Sequence, residues 1–426
     1  MRIAIVGSGI AGLGVAWALS RQHEVVVFER EAQPGGHAHT VEVDTGDGAL
    51  ALDTGFVVYN ELNYPELTRL FNTLGMESQP SDMSFSVYWN ARGRVLEWAG
   101  GNGAAGLFAQ KQRLADVRHW RLLTDIVRFN RIARAALDDG TRHGTLGEFL
   151  RANGFTRALA WHYLIPMTAA IWSCPPQLML ETPANTILRF LANHGLLNLR
   201  GRPRWRSVKG GSTRYVSRLL AASGARVRLA TPVIRITREA CGVMIESACG
   251  RERFDACVLA SHADESLALI GDADSEEHNI LGSFCFSAND AYLHSDETLM
   301  PASRSAWASW NVRMNGRQNP RASVSVTYWL NRLQRLAVPG HYFVTLNPER
   351  PPRGAITRIG YTHPVLDTVA VDAQRKLPGI QGRGGLYYAG AWTRYGFHED
   401  GLASGLDAAR AIENNLACDK VREAAP

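Results

Sequence analysis

The chain has 426 residues, of which 46% are hydrophobic and 20% charged. At this length one core does not suffice, so the sequence predicts a globular protein of two domains and excludes a disordered or fibrous chain. The 46 basic and 40 acidic residues leave a net charge of +6. Because the basic residues form no obvious cluster in the sequence, this excess does not indicate a nucleic-acid-binding protein. No apolar run reaches the roughly 20 residues of a membrane-spanning helix.

Six cysteines are spread along the chain without CxxC or Cys/His ligand spacing. They are expected to be reduced thiols rather than disulfides or metal ligands, which favours a cytoplasmic protein without a metal site. The apolar start of the chain resembles a signal peptide. Its glycines, however, have the spacing of a phosphate-binding turn and no cleavage site follows, which argues against export.

The chain begins with the pattern of a βαβ unit. Residues 2–6 (RIAIV) predict a buried parallel strand, residues 13–20 a helix of small residues, and residues 24–28 a second strand. Strand and helix patterns return after residue 200, and the chain ends in a strand (LYYAG) and a helix from about residue 402 to 416.

These patterns indicate one discontinuous cofactor domain interrupted by two inserts. The cofactor domain is expected at residues 1–75, 201–265 and 356–426. The inserts, one mostly helical and one rich in aromatic residues and strand formers, are assigned to a substrate domain at residues 76–200 and 266–355.

Gly7, Gly9 and Gly12 form the motif GxGxxG directly after the first strand. The first glycine permits the tight turn, the second lets a pyrophosphate approach the backbone, and the third lets helix pack on strand. Glu29 ends the second strand, where a carboxylate accepts ribose hydroxyls and disfavours a 2′-phosphate. The motif therefore predicts FAD or an NAD-like dinucleotide, with a purely structural glycine turn as the alternative.

Later segments favour FAD over NAD. Gly35 and Gly36 let the chain cross beneath the pyrophosphate toward a flavin without a Cβ clash, which a plain NAD fold does not need. Residues 53–56 (DTGF) follow another strand-like run and are expected to pass close to the ring. Gly390 follows the last strand, and Gly401 marks a helix start that would stabilise negative charge on reduced flavin.

Together these residues resemble the flavin-containing amine oxidase and phytoene desaturase superfamily, over the whole chain. The resemblance implies an α/β fold with a discontinuous, Rossmann-like FAD-binding domain of the glutathione-reductase-like, amine oxidase type, an α+β substrate domain, and the activity of an FAD-dependent oxidoreductase. The cofactor is expected to bind non-covalently. The residues predicted to bind FAD are Gly7, Ser8, Gly9, Ile10, Ala11, Gly12, Glu29, Arg30, Gly35, Gly36, His37, Thr40, Gly55, Phe56, Val57, Val233, Gly390, Trp392, Gly401 and Leu402.

A closer likeness concerns the substrate. The strings GGHAHTVEVD, LDTGFVVYN and GFHEDGLASG look like the bacterial predicted NAD/FAD-binding protein family, which is similar to the oxidase-like N-terminal half of plant cyclopropane fatty acid synthases. This implies hydride transfer to flavin N5 from a fatty acyl chain, free or in a phospholipid. It also allows a lipid methyltransferase as partner, and peripheral contact with the inner face of the membrane.

Two departures from the superfamily pattern affect the alternatives. His37 stands where amine oxidases usually have arginine, and Ala391 where many flavoproteins place an acid that holds the ribityl chain. Both weaken the case for a flavin amine oxidase, which is the first alternative. The second alternative is a flavin-bearing partner or non-redox isomerase for a lipid methyltransferase.

His398 and Tyr59 are the candidate catalytic residues. Oxidation at a C–H bond often needs a base beside the flavin, and both residues should lie near the ring if the resemblance holds. The alternative for His398 is a helix-start residue that satisfies backbone groups, with Asp400 as the N-cap. Lys209 could hold a water at N5, but its VKGG setting favours a surface role.

Other patterns are more ambiguous. The aromatic strings at residues 307–311 and 326–329 could line an apolar tunnel for an acyl chain or simply form core. His194 and His262 are expected to be structural. Residues 111–137 carry an apolar stripe at helical spacing, which favours a helix packed on the substrate domain over one resting on an anionic bilayer; the stripe is Leu122, Ile126, Phe129, Ala133 and Leu137, flanked by Arg121, Arg128, Arg131 and Arg134.

Overall fold

A computed structural model describes residues 1–46, 48–91, 93–141, 143–198, 201–315 and 324–424, with side chains to residue 416. The strands are β1 (Arg2–Val6), β2 (Glu24–Phe28), β3 (Thr40–Asp44), β4 (Ala49–Asp53), β5 (Val58–Asn60), β6 (Ser78–Pro80), β7 (Phe85–Ala91), β8 (Arg94–Gly100), β9 (Trp205–Val208), β10 (Arg226–Arg228), β11 (Val233–Glu239), β12 (Gly242–Ser247), β13 (Gly250–Phe254), β14 (Ala256–Leu259), β15 (Phe286–His294), β16 (Trp310–Asn315), β17 (Ser325–Trp329), β18 (Phe343–Leu346), β19 (Thr357–Pro364) and β20 (Leu386–Tyr388). The helices are α1 (Ile10–Leu19), α2 (Pro65–Thr73), α3 (Gly103–Leu107), α4 (Val117–Asp138), α5 (Leu146–Ala152), α6 (Arg157–Leu159), α7 (Ile165–Trp172), α8 (Pro176–Glu181), α9 (Ala184–Asn193), α10 (Thr213–Ser223), α11 (Ala263–Leu269), α12 (Ser275–Leu281), α13 (Leu330–Leu333), α14 (Thr368–Lys376) and α15 (His398–Ala424).

A five-stranded parallel sheet in the order β10-β2-β1-β14-β20 gathers strands from both ends of the chain. Its inner strands are continuous apolar runs because helices or a second sheet cover both faces. The backbone ladder continues past the strand ends: Gly7 N–H donates to Phe28 O, and Ala389 N–H donates to Leu259 O. Ligands of open parallel sheets bind at this carboxyl edge.

The two faces of the sheet are covered differently. Helices α1 and α15 pack on one face, where Val15, Ala16 and Ile412 are buried against the strands. On the other face lie the antiparallel sheet β11-β12-β13 and helices α11, α12 and α14. The layered arrangement confirms the predicted α/β class with a Rossmann-like unit.

A second, mixed sheet has the order β19-β15-β18-β17-β16-β7-β8, with β16 and β7 parallel and the other pairs antiparallel. Part of it packs on helices α4 to α9 in a core that contains Val87, Val312 and Phe129. The two-stranded sheet β3-β4 and the three-stranded sheet β5-β9-β6 complete the strands of the described chain.

Three predicted boundaries differ from the structure. The last cofactor-domain segment was predicted to begin at residue 356, but β19 pairs along its length with β15, so residues 357–364 belong to the mixed sheet. Helix α1 begins at Ile10 and α15 at His398, earlier than predicted. Sequence patterns assign glycines near a helix start to the preceding turn, whereas here Gly12 and Gly401 are helical.

Within the described residues, no helix combines the length and apolar character needed to cross a membrane. The five cysteines whose side chains are described are free thiols, and Cys418 lies outside the described side chains. Among the described residues, no group of three or more His, Cys, Asp or Glu side chains is arranged to hold a metal ion.

Candidate flavin site

The glycine turn between β1 and α1 has the geometry that its motif predicts. Gly7 has φ +105°, and a Cβ there would lie 2.9 Å from Ala260 O. A Cβ on Gly12 would lie 2.0 Å from Gly7 O, so only glycine lets this helix pack on this strand. A Cβ on Gly9 would meet nothing within 4 Å. The open space is therefore at the glycine whose backbone a pyrophosphate approaches.

The predicted glycine pair lies directly on this turn. Gly36 has φ +57°, and a Cβ on it would be 3.3 Å from Gly9 Cα. Gly35 N–H donates to Ser8 O at 3.1 Å. Gly9 is the N-cap of helix α1 and no side chain caps this end, so the first amides of the helix remain available to an anion together with the positive end of the helix dipole. This arrangement fits the pyrophosphate of FAD.

Glu29 lies beside the turn with its carboxylate held in place. One oxygen accepts hydrogen bonds from Ser8 N–H at 2.9 Å and Ser8 Oγ–H at 2.5 Å, and the other accepts from Glu31 N–H at 2.9 Å. Two carboxylate oxygens have about four acceptor positions, so capacity remains for a ribose hydroxyl. The neighbouring Arg30 pairs instead with Glu265 at 2.7 Å and is largely exposed.

The start of α15 lies against the start of α1. A Cβ on Gly401 would be 2.8 Å from Ile10 Cγ2, and a Cβ on Gly14 would be 2.8 Å from Leu402 Cδ1. Gly390 N–H donates to Ser404 Oγ at 2.9 Å, which ties the end of β20 to the same helix. Two helix N-termini thus meet at the carboxyl edge of the parallel sheet, as the flavin hypothesis requires.

The side chain of Trp392, a predicted FAD-binding residue, packs inside the protein. Its indole N–H donates to Ser261 O at 3.0 Å, and its ring packs on Phe284 with centroids 4.6 Å apart. The indole is therefore part of the core beneath the sheet edge, and contact with a cofactor is left to the backbone of this residue. Cofactor binding by Trp392 stays a prediction.

His37 has a buried polar atom without a partner. Its ring stacks on Tyr361 at 4.9 Å, and among the described residues nothing hydrogen-bonds its buried Nε2. Gly55 crosses its backbone so closely that a Cβ would lie 2.2 Å from His37 O. Buried polar groups nearly always have partners, so a bound group is expected to satisfy Nε2. With the open cradle at Gly9, this indicates that the residues present fit FAD.

His398 is the first residue of α15 and is held on two sides. Its Nε2 is 2.6 Å from the Tyr215 hydroxyl, and its ring stacks on Phe56 at 3.9 Å. Burial lowers the pKa of His398 to about 3, so the imidazole is neutral at ordinary pH and a weak base. The contacts favour a positioning role over the predicted catalytic one.

Asp400 was expected to be the N-cap of the last helix, but the helix already begins at His398. It lies in the first turn, where its carboxylate accepts a hydrogen bond from Phe397 N–H at 2.9 Å. Burial raises the pKa of Asp400 to about 7. The helix starts earlier than expected because Asp400 satisfies a backbone donor that precedes it.

Tyr59, the second catalytic candidate, is buried in an aromatic cluster. Its ring contacts Phe71 edge-on at 5.2 Å and Tyr64 at 6.4 Å. Its backbone lies opposite Arg206 in the pairing of β5 with β9. These contacts favour a core role.

Three predicted cofactor residues pack within the fold. Thr40 donates to Asp53 at 2.6 Å, which places its side chain in a buried network. Val57 packs against the core beside the mixed sheet, and Val233 against the core under α11 and α12. Lys209 pairs with an exposed Glu77 at 3.1 Å, in agreement with the surface role that was favoured.

Three polar or aromatic residues near His37 were not predicted from the sequence: Asn289 on β15, and Tyr361 and His363 on β19. Tyr361 and His363 project from the same face of β19, and His363 Nδ1 lies 3.2 Å from the Asn289 side chain. His37 and His363 have ring centroids 5.5 Å apart. The alternation YTH was a usable signal, but only the pairing of β19 with β15 brings it beside His37.

The groups around this region share one electrostatic property. His37, His363 and His398 keep some accessible surface, yet burial lowers their pKa values to about 3, 4 and 3. Burial also raises the pKa of Asp53 to about 6. His363 and His398 lie close enough to His37 to influence its pKa, and every one of these shifts favours the neutral form.

Comparisons with known proteins agree with this geometry. A family model described as flavin containing amine oxidoreductase matches residues 10–279. A Mycobacterium tuberculosis (strain CDC 1551 / Oshkosh) protein provisionally named flavin-containing monoamine oxidase AofH is 29% identical over 274 residues, which are 61% of this chain and 56% of that protein. The chain therefore matches little more than half the length of this curated relative.

Solved structures resemble the whole chain. A CLA-producing fatty acid isomerase from P. acnes has a TM-score of 0.68 at 17% identity, covering 95% of this chain and 97% of that one. Cyclohexylamine oxidase from Brevibacterium oxydans IH-35A has a TM-score of 0.66 at 15% identity, covering 98% and 99%. At these identities they establish the fold alone. Since the family model covers well over half of the chain, the protein belongs to the flavin-containing amine oxidoreductase family, with FAD as its cofactor.

Proposed function

We propose that this protein uses FAD to desaturate or otherwise oxidise a fatty acyl chain, free or in a phospholipid. The observation that carries the proposal is the cluster of His37, Tyr361 and His363, whose ring centroids lie 4.9, 5.5 and 6.4 Å apart and whose burial favours the uncharged forms. Uncharged, buried surroundings disfavour a charged ammonium group and favour an apolar substrate.

Aromatic side chains support an apolar substrate path. Trp310 and Tyr328 face each other across β16 and β17, with ring centroids 4.8 Å apart and nearly perpendicular planes. Both remain partly accessible, and both contact the helical core as well as the core beside the mixed sheet. Burial raises the pKa of Tyr328 above its ordinary value. Uncharged rings at the junction of two cores suit a methylene chain.

Bound FAD would supply a hydride acceptor, its N5 atom, and the chain's residues would do the rest. The amides at Gly9 and the start of α1 would hold the pyrophosphate, and Glu29 a ribose hydroxyl. The Tyr215–His398 hydrogen bond fixes the start of α15. His37 offers a neutral imidazole whose Nε2 is free to hydrogen-bond.

Two other functions have specific support. The M. tuberculosis relative is named a monoamine oxidase, which favours amine oxidation. The P. acnes neighbour is a fatty acid isomerase, which favours an acyl substrate without net oxidation. A flavin-bearing partner of a lipid methyltransferase stays a further alternative, which a pull-down with that enzyme tests.

Anaerobic mixing separates these functions. The FAD-loaded protein is mixed with free fatty acids, with phospholipid vesicles and with primary amines, and flavin absorbance is followed while the lipids are analysed by mass spectrometry. Bleaching by an acyl lipid, with loss of two hydrogens from it, supports the proposal. Bleaching by amines alone contradicts it, and an isomerised lipid of unchanged mass with oxidised flavin indicates the isomerase.

A further inference from the structure

Helix α4 and the turn before it carry large apolar side chains on the molecular surface. Leu114, Val117, Trp120 and Val127 are 56%, 79%, 48% and 51% exposed. Val117, Trp120 and Val127 lie along one side of α4 by their helical spacing, and Leu114 lies beside them in the preceding turn, where its carbonyl accepts a hydrogen bond from the Trp120 indole. We call these four residues the docking stripe.

The opposite side of α4 is fixed in the core. Leu122, Phe129 and Ala133, members of the apolar stripe seen in the sequence, are 2%, 0% and 0% exposed and pack among α5 to α9. The apolar stripe predicted from the sequence therefore packs in the core, which is the alternative that the sequence favoured, and it cannot contact a bilayer. Rotation of α4 to bury the docking stripe would expose this core, so the docking stripe stays outside.

Cations surround the docking stripe. Lys111, Arg118, Arg121 and Arg131 are exposed, and in the described part of the chain none of them forms an ion pair. The nearby acids are already engaged. Asp116 pairs with Arg113 and caps α4 through Arg118 N–H.

Of the two acids within α4, Asp125 is also engaged, and Asp138 is the last residue of the helix, at the opposite end from Trp120. Asp125 is buried and accepts a hydrogen bond from Thr156 at 2.6 Å. Trp120 is held upright against the preceding turn, because its indole N–H donates to Leu114 O at 2.9 Å. The surface therefore combines a fixed tryptophan, exposed aliphatic side chains and unpaired positive charge.

We propose that the docking stripe and its four cations bind the surface of an anionic lipid bilayer. Tryptophan and aliphatic side chains enter the region between headgroups and acyl chains, while lysine and arginine attract anionic headgroups. A protein partner would instead have to present carboxylates to four separate cations around an apolar centre. The proposal does not depend on the acyl substrate, since it concerns attachment alone.

Vesicle binding tests the proposal on the FAD-loaded full chain. Co-sedimentation is measured with vesicles of phosphatidylcholine alone and mixed with phosphatidylglycerol, at rising salt. Binding is expected only to the mixed vesicles and should weaken with salt. Arg118→Gln and Arg121→Gln should each weaken partitioning about fivefold. The triple change Leu114→Ser, Val117→Ser, Trp120→Ser should remove it.

Matched controls lie elsewhere on the surface. Val369→Ser removes an equally exposed aliphatic side chain on α14, and Arg251→Gln an exposed cation on β13; both should bind as the unchanged protein does. Flavin absorbance and far-UV circular dichroism establish that each variant is folded. Absence of binding to mixed vesicles, or equal binding by the triple variant, overturns the proposal. Concentration-dependent dimers that the triple variant abolishes would identify a self-association surface instead.

Discussion

The cofactor end and the proposed substrate side of this protein are specified in different ways. At the cofactor end, the fold depends on contacts within the first 36 residues. Gly12 packs closely on Gly7 O, Gly36 packs on Gly9, and Glu29 accepts a hydrogen bond from Ser8. On the substrate side, Tyr361 and His363 reach His37 only through strands far apart in the chain. The first region depends on backbone geometry and the second on side-chain packing, so substitutions in the two regions should fail differently.

The largest effect is expected from two glycines of the same turn. In Gly12→Val the new side chain would clash with Gly7 O, so this variant should not fold. In Gly9→Val the side chain would fill open space, so the fold should stay intact while the pyrophosphate is excluded. We expect flavin content after purification to fall at least about tenfold in Gly9→Val. Circular dichroism and flavin absorbance measure both. Gly360→Val, at an exposed position of β19 where a Cβ would meet nothing within 4 Å, is the control; full flavin content in Gly9→Val would refute the assignment of the cradle.

Next in size is the Tyr215–His398 contact. Tyr215→Phe leaves a buried imidazole nitrogen unpaired and should lower the free energy of unfolding by about 1–3 kcal/mol. Because the pair positions α15, turnover should change less than the stability does. Chemical denaturation and steady-state kinetics measure the two, with Ser217→Ala on the exposed side of α10 as the control. A loss of turnover with an altered pH profile, at unchanged stability, would instead support a catalytic His398.

A smaller effect concerns pH. Burial holds the pKa of folded His363 near 4, below its unfolded value of 6.5. The unfolded chain therefore binds the extra proton between these values, and this contribution to stability decreases as the pH falls from about 6.5 to 4. Asp53 has the opposite sign, since its folded pKa of about 6 is raised, so stability from it is lost as the pH rises from about 4 to 6.

The two signs can be separated by substitution. His363→Phe should flatten the rise of unfolding free energy with pH by about 1 kcal/mol per unit, measured by urea denaturation between pH 4 and pH 7. His278→Phe, on the surface of α12, serves as the control. An unchanged slope in His363→Phe would show that this histidine titrates normally in the folded protein.

The smallest effect is expected at Lys209. Its ammonium pairs with Glu77 and both side chains are exposed by more than half, so Lys209→Met should change unfolding free energy by less than about 0.5 kcal/mol. The rate of flavin reoxidation by dioxygen, followed by stopped flow, should stay the same. A slowed reoxidation would place this lysine at the flavin and favour the amine oxidase function.

Much of the cofactor site could be predicted from the sequence. The motif GxGxxG, Glu29 and the Gly35–Gly36 pair meet at one edge of the parallel sheet, where they were expected. The predictions for Trp392, Thr40 and Tyr59 stay predictions. Their side chains contact other residues of the protein, and a resemblance places a residue along the chain without fixing where its side chain points.

The sequence by itself determined that this is a flavin-binding protein. Glycines are required wherever backbone lies against backbone or phosphate, and such requirements are visible in short motifs. Only the tertiary structure decided the rest. It brought His37, Tyr361 and His363 together, assigned β19 to the mixed sheet, and separated the buried stripe of α4 from the docking stripe. Those outcomes depend on which distant surfaces pack together, and a local pattern carries no record of its partner.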